Sequence, residues 1–287
     1  MLQAIGVASV DDLFADIPER LRLRDPLSIE GGASEAEVYR ELSAWARRNV
    51  SCEDEISFLG AGMYDHYVPA LVDSIVSRSE FLTPYTPYQP EISQGGLQVM
   101  FEYQTAISEL TALPVSNASV YDGPSAVASA AYLARLANGR RRVVVSRGVH
   151  PHSRAALVTL TRGIGTEVVE APLSDGVTDP QALAALVDGS TSAVILQQPT
   201  FLGAVEDLEP LVAAAAAHGA LVACACDPIP LGILRPPGDL GVDVAVGEGQ
   251  TLGNRLDFGG PSFGFFAAKE EYVRLMPGRI AGETRDV

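Results

Sequence analysis

The strand–helix–strand pattern that decides the fold lies in residues 193–228, AVILQQPTFLGAVEDLEPLVAAAAAHGALVACACDP. Its two apolar runs, Ala193–Leu196 and Ala220–Ala225, are short and bounded by turn-forming residues, which is typical of buried strands. The segment between them, near Leu208–His218, is predicted to be a helix. Two strands joined by a helix pair in parallel through a right-handed crossover. The stretch therefore predicts an α/β protein.

The same alternation extends in both directions along the chain. Further strands are predicted at Val143–Val145, Glu167–Glu170, Val242–Val246 and 263–268. Further helices are predicted near Pro124–Leu136, Pro151–Arg162 and Pro180–Val187. Short apolar strands separated by helices are covered on both faces, so the prediction is a three-layer α/β/α domain with a mostly parallel sheet over residues 58–275. Ligands of such sheets bind beyond the carboxyl ends of the strands.

Residues 1–57 are predicted to form a separate N-terminal helical segment. Ser34 and Glu37 have capping-box spacing at the start of an amphipathic helix. After this segment, residues 58–62 form a glycine-bearing turn, and a further helix is expected near Val68–Ser77.

The composition narrows the classes of partner. A formal net charge of −16 argues against nucleic acid and against an anionic membrane. The three cysteines, Cys52, Cys224 and Cys226, match neither a zinc site nor a disulfide framework, so no metal site is predicted. No secretory leader is recognisable and the longest apolar run is too short to span a bilayer, so we expect a cytoplasmic protein.

A second informative stretch is residues 81–96, FLTPYTPYQPEISQGG, in which proline recurs every third residue. Proline fixes φ and favours extended geometry in the residue before it, so the prediction is a stiff, non-helical ribbon that leads into a helix over Gly95–Leu113. Its polar side chains are the first candidates for a functional site: Tyr88, Gln89, Glu91, Ser93 and Gln94. The alternative is an ordinary proline-rich surface loop.

Polar residues at the predicted strand ends form a second group of candidates. Tyr121 and Asp122 precede a helix with proline in its first turn, where free N–H groups attract an anion such as phosphate. Asp122 is equally explained as a helix cap. His150 follows a predicted strand and is a candidate for contacting a flat ring or an anion. Asp227 ends another strand, where it either lines the site or forms a turn before proline.

The sequence contains one lysine, Lys269. It follows the predicted strand 263–268 and precedes two glutamates, so it is predicted to be a solvated surface residue at the start of a helix. Any reaction that needs a Schiff-base lysine from this chain therefore depends on Lys269 or is absent.

Motifs spread along the chain resemble the P-protein of the glycine cleavage system, in particular the alpha (first) subunit of its split form. They are FLGAG in residues 58–62, TPYTPYQPEISQG in 83–95, NASVYDGP in 117–124, GEGQTLG in 247–253 and FGGP in 258–261. The resemblance implies the large domain of a pyridoxal-phosphate-dependent transferase of the aspartate-aminotransferase type (fold type I). It also implies a role in glycine dehydrogenase (decarboxylating), which decarboxylates glycine and transfers its aminomethyl group to the lipoyl arm of H-protein.

The resemblance also locates the position of the cofactor lysine. In the catalytic half of the P-protein family this lysine lies in a His-Lys-Thr run, which aligns with Gly249, Gln250 and Thr251. A strand-end aspartate that meets the pyridinium nitrogen aligns with Asp227. Glutamine cannot form an imine, so the resemblance implies that this chain binds no pyridoxal phosphate covalently. The remnant of the cofactor pocket would be lined by Tyr121, Asp122, His150, Asp227 and Thr251.

The resemblance further implies an assembly in which this chain alone is inactive. A lysine-bearing second P-protein subunit would carry pyridoxal phosphate in an αβ or α2β2 assembly, and the lipoylated H-protein and glycine are the other expected partners. Family members continue past residue 287, so residues 276–287 are interpreted as the start of a truncated C-terminal domain, in a fragment or a shortened reading frame. Two alternatives stay open: a stand-alone pyridoxal-phosphate-dependent decarboxylase or aminotransferase, and a non-catalytic scaffold derived from the family.

Overall fold

The computed structural model describes residues 1–23, 25, 27–52, 54–82, 86–256, 259–260 and 262–285. The chain divides into two compact units, Met1–Ile56 and Ser57–Val287.

The N-terminal unit consists of short helices. Helix α1 spans Leu2–Ile5, α2 spans Glu35–Ala46, and 3-10 turns lie between them at Asp11–Phe14 and Glu19–Leu21. The predicted capping box at the start of α2 is confirmed: Glu37 Oε2 accepts from the backbone N–H of Ser34 at 2.8 Å, and the Ser34 side chain caps the helix in return. None of the described residues of this unit is buried.

The larger unit alternates helices and strands as predicted. Its helices are α3 (Ala70–Val76), α4 (Ser79–Leu82), α5 (Gln94–Thr111), α6 (Gly123–Asn138), α7 (Pro151–Arg162), α8 (Pro180–Leu186) and α9 (Leu208–Ala216). Its strands are β1 (Val115–Ser116), β2 (Arg142–Ser146), β3 (Glu167–Ala171), β4 (Leu173–Ser174), β5 (Val177–Thr178), β6 (Thr191–Gln198), β7 (Leu221–Cys226), β8 (Val244–Glu248) and β9 (Gly264–Ala268). The short strands β1, β4 and β5 were not predicted.

The main sheet has the strand order β1-β9-β8-β7-β6-β2-β3. Strands β3, β2, β6, β7 and β8 pair in parallel, whereas β9 and β1 are antiparallel at one edge. The predicted mostly parallel sheet is therefore confirmed. Because the central strands are parallel, the carboxyl ends of β2, β6, β7 and β8 lie along the same edge of the sheet.

Two apolar clusters cover the two faces of the sheet, because alternate residues of a strand point to opposite faces. One cluster joins the strands to α8 and α9, with Val144, Val194, Val222, Leu183 and Leu211 among its members. The other joins them to α6 and α7, with Val143, Ile195, Ala223, Leu133 and Leu157 among its members. The sheet is thus the middle layer of an α/β/α domain.

The proline-rich stretch differs from the predicted ribbon at its two ends. Helix α4 occupies residues 79–82, and Pro90–Ile92 form a 3-10 turn, so the prediction of a wholly non-helical ribbon is wrong there. The fixed φ of proline suits the first position of a helical turn, which explains the turn that starts at Pro90. Gln89 is extended as predicted, with φ −107° and ψ 96°. Thr83, Pro84 and Tyr85 lie outside the described residues.

Lys269 caps the N-terminus of a 3-10 helix, Glu270–Leu275, in agreement with the predicted helix start. Its side chain is 39% exposed and forms an ion pair with Asp243. The predicted surface position of Lys269 agrees with this exposure, whereas its ion pair was not predicted. The ion pair was missed because Asp243 is distant in sequence and is brought to Lys269 by the β8–β9 pairing.

The loop after β6 buries a carboxylate, that of Glu206, which is 5% exposed. The backbone N–H of Thr178 donates to Glu206 at 3.0 Å, and its hydroxyl donates to Oε1 at 2.5 Å. The Thr178 hydroxyl also shares a hydrogen bond of 2.6 Å with Ser146 Oγ. Burial raises the pKa of Glu206 above its usual value of 4.5, and the bonds from Thr178 offset part of this rise.

The raised pKa of Glu206 predicts a pH dependence of stability. A carboxyl with a raised pKa in the folded state holds its proton more tightly there, so folding is favoured as pH falls from neutral toward 4.5. We expect the unfolding free energy of the wild type, relative to that of Glu206→Gln, to increase as the pH is lowered from neutral toward 4.5. Urea unfolding of both proteins at several pH values measures the difference. A difference that stays constant, or decreases toward acid, contradicts the prediction.

Candidate functional site

The carboxyl edge of the parallel strands brings the predicted strand-end residues to one side of the sheet. His150 follows β2, Asp227 follows β7, and Glu248 is the last residue of β8, with Gln250 just beyond it. Helix α6 begins against this edge: an ideal Cβ on Gly123 would lie 3.1 Å from the backbone nitrogen of Glu248. We take this edge as the candidate site.

His150 is held in one orientation by contacts on both ring nitrogens. Its Nδ1 accepts from the backbone N–H of His152 at 3.0 Å, so the neutral ring carries its proton on Nε2. That nitrogen lies 2.8 Å from the carbonyl oxygen of Ala61, to which it donates. The ring also packs edge-to-face on Phe201, with 4.7 Å between ring centroids. His150 therefore fixes the turn at residues 60–62 to the strand edge.

The contact between His150 and this turn predicts that Gly62→Ala is destabilising, by about 1–3 kcal/mol. Gly62 has φ +90°, and a Cβ there would lie 2.9 Å from Cδ2 of His150. Gly139→Ala is the matched control, since Gly139 has φ +73° and nothing within 4 Å of its Cβ position, so it reports the backbone strain alone. Urea unfolding should show a smaller loss when Gly62→Ala is made in a His150→Ala background. Equal losses in both backgrounds would rule out the steric contact.

Asp122 is the N-cap of α6, and the structure supports the capping interpretation of this residue. Its Oδ1 accepts from the backbone N–H of Ser125 at 2.7 Å. Tyr121 beside it is 89% exposed, so its ring does not pack against the rest of the described chain. The sequence predicts that the N–H groups at this helix start bind a phosphate. In the structure carboxylates already accept from these N–H groups, and Asp122 is one of the two.

A second carboxylate at the same helix start, Glu248, was not singled out in the sequence. Its Oε2 accepts from the backbone N–H of Gly123 at 3.0 Å, and its Oε1 accepts from that of Phe263 at 3.1 Å and from the Ser262 hydroxyl. The backbone N–H of Gln250 lies 3.3 Å from the same Oε1. The available signal was an acidic residue just after a predicted strand and just before residues 249–251.

Gln250 and Thr251 lie buried beyond β8, with exposures of 1% and 9%. Gln250 Nε2 donates to the carbonyl of Asn254, which closes a short turn. Gln250 Oε1 and Thr251 Oγ1 have no hydrogen-bond partner within the described part of the chain. An amide at this position accepts and donates hydrogen bonds but has no nucleophilic amine.

Asp227 ends β7 and uses its carboxylate in the turn that follows. Its Oδ1 accepts from the backbone N–H of Ile229 at 3.0 Å, while its own N–H donates to the carbonyl of Gln198 at 3.2 Å. The turn-forming interpretation of Asp227 is thus satisfied, and the residue is half-buried at the strand edge.

The five candidates of the proline-rich stretch are not joined to this edge by hydrogen bonds of their side chains. Among residues 54–82, 86–256 and the other described parts, no side-chain hydrogen bond involves Tyr88, Gln89, Glu91, Ser93 or Gln94. All except Ser93 are exposed, Tyr88 to 80%. These side chains are therefore accessible to another molecule.

The described residues contain no cluster of His, Cys, Asp and Glu suited to a metal ion. No helix in the described chain has the length and apolar character needed to cross a bilayer.

The mostly parallel sheet, its helical layers and the polar residues at the strand edge define the chain as a fold type I domain, the fold of a large class of pyridoxal-phosphate-dependent enzymes. A pyridoxamine-pyruvate aminotransferase from Mesorhizobium loti has this fold at 16% identity, with a TM-score of 0.54 over 73% of this chain and 50% of its own.

The sequence model of the glycine cleavage system P-protein matches residues 1–287, and the chain belongs to this family. It is 50% identical over 286 residues to a probable glycine dehydrogenase (decarboxylating) subunit 1 from Carboxydothermus hydrogenoformans, covering 100% of this chain and 64% of that protein. A crystal structure of glycine decarboxylase (P-protein) in inhibitor-bound form matches with a TM-score of 0.91 and 46% identity, over 100% of this chain and 64% of that one. The chain thus spans about two thirds of the length of these relatives.

Proposed function

We propose that this chain is part of the first subunit of a glycine dehydrogenase (decarboxylating), and that it acts with a second, lysine-bearing subunit that holds pyridoxal phosphate. The observation that carries the proposal is the burial of Gln250, a residue that the family resemblance aligns with the cofactor lysine. In the complete enzyme, the carboxylate of glycine is released as CO2, and the aminomethyl group passes to the lipoyl arm of H-protein. The bound cofactor supplies an electron sink for the decarboxylation.

The exposed apolar surface of the N-terminal unit supports the proposal that another protein binds there. Val38, Leu42 and Trp45 are spaced to lie on one face of α2 and are 42%, 53% and 55% exposed. Apolar surface of this kind gains about 25 cal/mol for each Å² that another protein surface covers. We propose that the second subunit provides that surface, in an αβ or α2β2 assembly.

The proline-rich stretch is proposed to supply polar groups to the interface with the second subunit. Pro87 and Pro90 restrict the backbone on both sides of Tyr88 and Gln89, so these side chains are presented with little loss of conformational freedom on binding. Their exposure and their lack of partners among the described residues support this role. Tyr121, Asp122, His150, Asp227 and Thr251 are proposed to retain the shape of the ancestral pocket without holding a cofactor.

Residues 276–287 are proposed to begin a further domain, because the family relatives are longer than this chain. The described part of this segment is anchored on α5. The Gln104 amide donates to the carbonyl of Ala281 at 2.9 Å and accepts from its N–H at 2.8 Å.

The proposal is tested by reconstitution. The full-length protein is mixed with a lysine-bearing second subunit, pyridoxal phosphate, glycine and lipoylated H-protein, and the exchange of labelled bicarbonate into the carboxyl group of glycine is measured. We expect exchange in the mixture and none with either subunit alone. Activity of this protein alone would favour a stand-alone decarboxylase. Stable co-purification without any dependence of the exchange on this protein would favour a scaffold.

A further inference from the structure

The start of α6 is an anion site that the chain fills with its own carboxylate. Oxygens of Glu248 accept from the backbone N–H groups of Gly123 and Phe263 at 3.0 and 3.1 Å, and from the hydroxyl of Ser262. The N–H of Gln250 lies 3.3 Å from the same carboxylate. These donors come from the first residue of a 16-residue helix, from the turn after β8 and from the segment before β9.

The donors around Glu248 are of the kind that binds a phosphate group. Backbone N–H groups at a helix N-terminus, together with a hydroxyl, stabilise an anion through hydrogen bonds and the helix dipole. Among the described residues, no ion pair joins an arginine or lysine to Glu248. The site therefore has the donors for one anion, and the carboxylate of Glu248 already uses them.

A phosphate group brought to the same donors would meet two carboxylates. Glu248 bonds Gly123, the first residue of α6, and Asp122 bonds Ser125, the third. Like charges placed side by side repel each other strongly in protein complexes. A phosphate therefore fits this helix start only if the side chain of Glu248 leaves it.

The next positions of the chain also fail to fit pyridoxal phosphate. Gln250 has no amine to bond the aldehyde carbon. Gly249 aligns with a histidine of the catalytic half, but an ideal Cβ at Gly249 would lie 2.2 Å from Cε2 of Phe263. The Phe263 ring is itself held edge-to-face by Tyr103, with 5.9 Å between ring centroids. The residues present thus do not fit the cofactor at positions 248 and 250, and position 249 has no room for the histidine of the catalytic half.

We propose that Glu248 is a built-in substitute for the cofactor phosphate, which closes the pocket of this chain to phosphate-bearing ligands. The loss of cofactor binding then has two independent causes, the missing lysine at 250 and the internal anion at 248. The inference rests on the same alignment of residues 249–251 with the family's cofactor-lysine run as the proposed function, but it does not depend on the second subunit. It predicts that restoring the lysine does not restore selective binding of pyridoxal phosphate.

The test compares pyridoxal 5′-phosphate with pyridoxal, which lacks the phosphate. Because the free 5′-hydroxyl of pyridoxal closes on its aldehyde as a hemiacetal, each extent of labelling is divided by that of free N-acetyl-lysine with the same aldehyde. The full-length protein with Gln250→Lys is incubated with pyridoxal or with pyridoxal 5′-phosphate, and the adduct is trapped with borohydride. Peptide mapping locates the label, with the wild type as control, because Lys269 is the only natural lysine of these 287 residues. We expect Gln250→Lys to react with both aldehydes to a similar extent. Adding Glu248→Gln or Glu248→Ser should raise labelling at residue 250 by pyridoxal phosphate, relative to pyridoxal, by about tenfold or more.

Glu248→Gln is chosen because it keeps the size and one acceptor oxygen of the side chain while it removes the charge. Glu209→Gln in the Gln250→Lys background is the matched control, since Glu209 is exposed on α9 and pairs with Arg235. It should leave the ratio of the two labels unchanged. A strong preference of the single variant Gln250→Lys for pyridoxal phosphate would overturn the proposal, and so would an unchanged ratio in the double variants.

A measurement without the added lysine keeps the proposal testable if the labelled variants fold poorly. Inorganic phosphate is titrated into the wild type, Glu248→Gln and Glu248→Ser, and binding is followed by calorimetry, with circular dichroism as the check on folding. We expect phosphate binding in the variants that lack the charge and none in the wild type at the same concentrations. Binding to the wild type, or to none of the folded proteins, would overturn the proposal. Neither outcome bears on the reconstitution experiment, so the two proposals fail separately.

Discussion

The substitution Gly247→Ala is expected to lower the free energy of unfolding by more than about 3 kcal/mol. An ideal Cβ at Gly247 would lie 2.1 Å from the carbonyl oxygen of Cys226 and 2.6 Å from the ring of Phe265. The first atom belongs to the backbone of β7, which pairs in parallel with β8, and the second belongs to a ring with 0% exposure. Neither can move without displacing a strand, so the added methyl group forces β8 away from its neighbours.

Equilibrium unfolding in urea, together with the thermal midpoint, measures the effect of Gly247→Ala. Domains of this size have a total stability of about 5–15 kcal/mol, so the expected loss removes a large part of it. Gly95→Ala is the matched control: Gly95 lies in the first turn of α5 and has nothing within 4 Å of its Cβ position. This control is expected to stabilise the protein by up to about 1 kcal/mol, because alanine favours helix over glycine. Similar stabilities of the two variants would contradict the close approach of β7 and β8.

The parallel strands and the helices between them are predictable because short stretches of sequence, such as apolar runs and turn residues, indicate them. Each parallel strand is a short apolar run covered on both faces, and α7 has the predicted bounds of Pro151–Arg162. The two-residue strand β1 gives no such signal, since it exists only through its antiparallel pairing of Val115 with Ala268 and of Ser116 with Ala267. Its formation depends on a contact between distant parts of the chain.

The candidate site is predictable only in outline. The sequence predicts that His150, Asp227 and Gln250 each follow a strand, and the parallel pairing of β2, β6, β7 and β8 places the three residues at one edge of the sheet. The bond between Glu248 and Gly123 joins residues 125 positions apart, and the steric conflict of a Cβ at Gly249 depends on the placement of one ring. Such contacts follow from packing geometry, which the local pattern of residue types does not encode.

In the reconstituted enzyme, Glu91→Gln is expected to lower the rate of bicarbonate exchange by about 100-fold. Glu91 is exposed in the 3-10 turn that begins at Pro90, and its side chain makes no hydrogen bond with any described residue. Since no residue in the described part of this chain hydrogen-bonds the carboxylate, its removal should leave the stability of the isolated protein unchanged. In the assembly proposed above, a charge held on a constrained turn at the interface with the second subunit can instead orient the ammonium group of glycine or transfer a proton.

The matched control for Glu91→Gln is Glu102→Gln, which makes the same change at an exposed glutamate of α5 that accepts from Gln98 at 2.9 Å. It should alter the exchange rate by no more than about twofold, as expected for an ordinary surface substitution. Co-purification with the second subunit must be equal for both variants, so that a loss of rate reflects the site rather than the assembly. If only KM for glycine rises, Glu91 binds the substrate, whereas a fall in kcat with a changed pH profile identifies it as a proton-transfer group. An unchanged rate in a stable complex would exclude Glu91 from the active site and return the proline-rich stretch to a purely structural role.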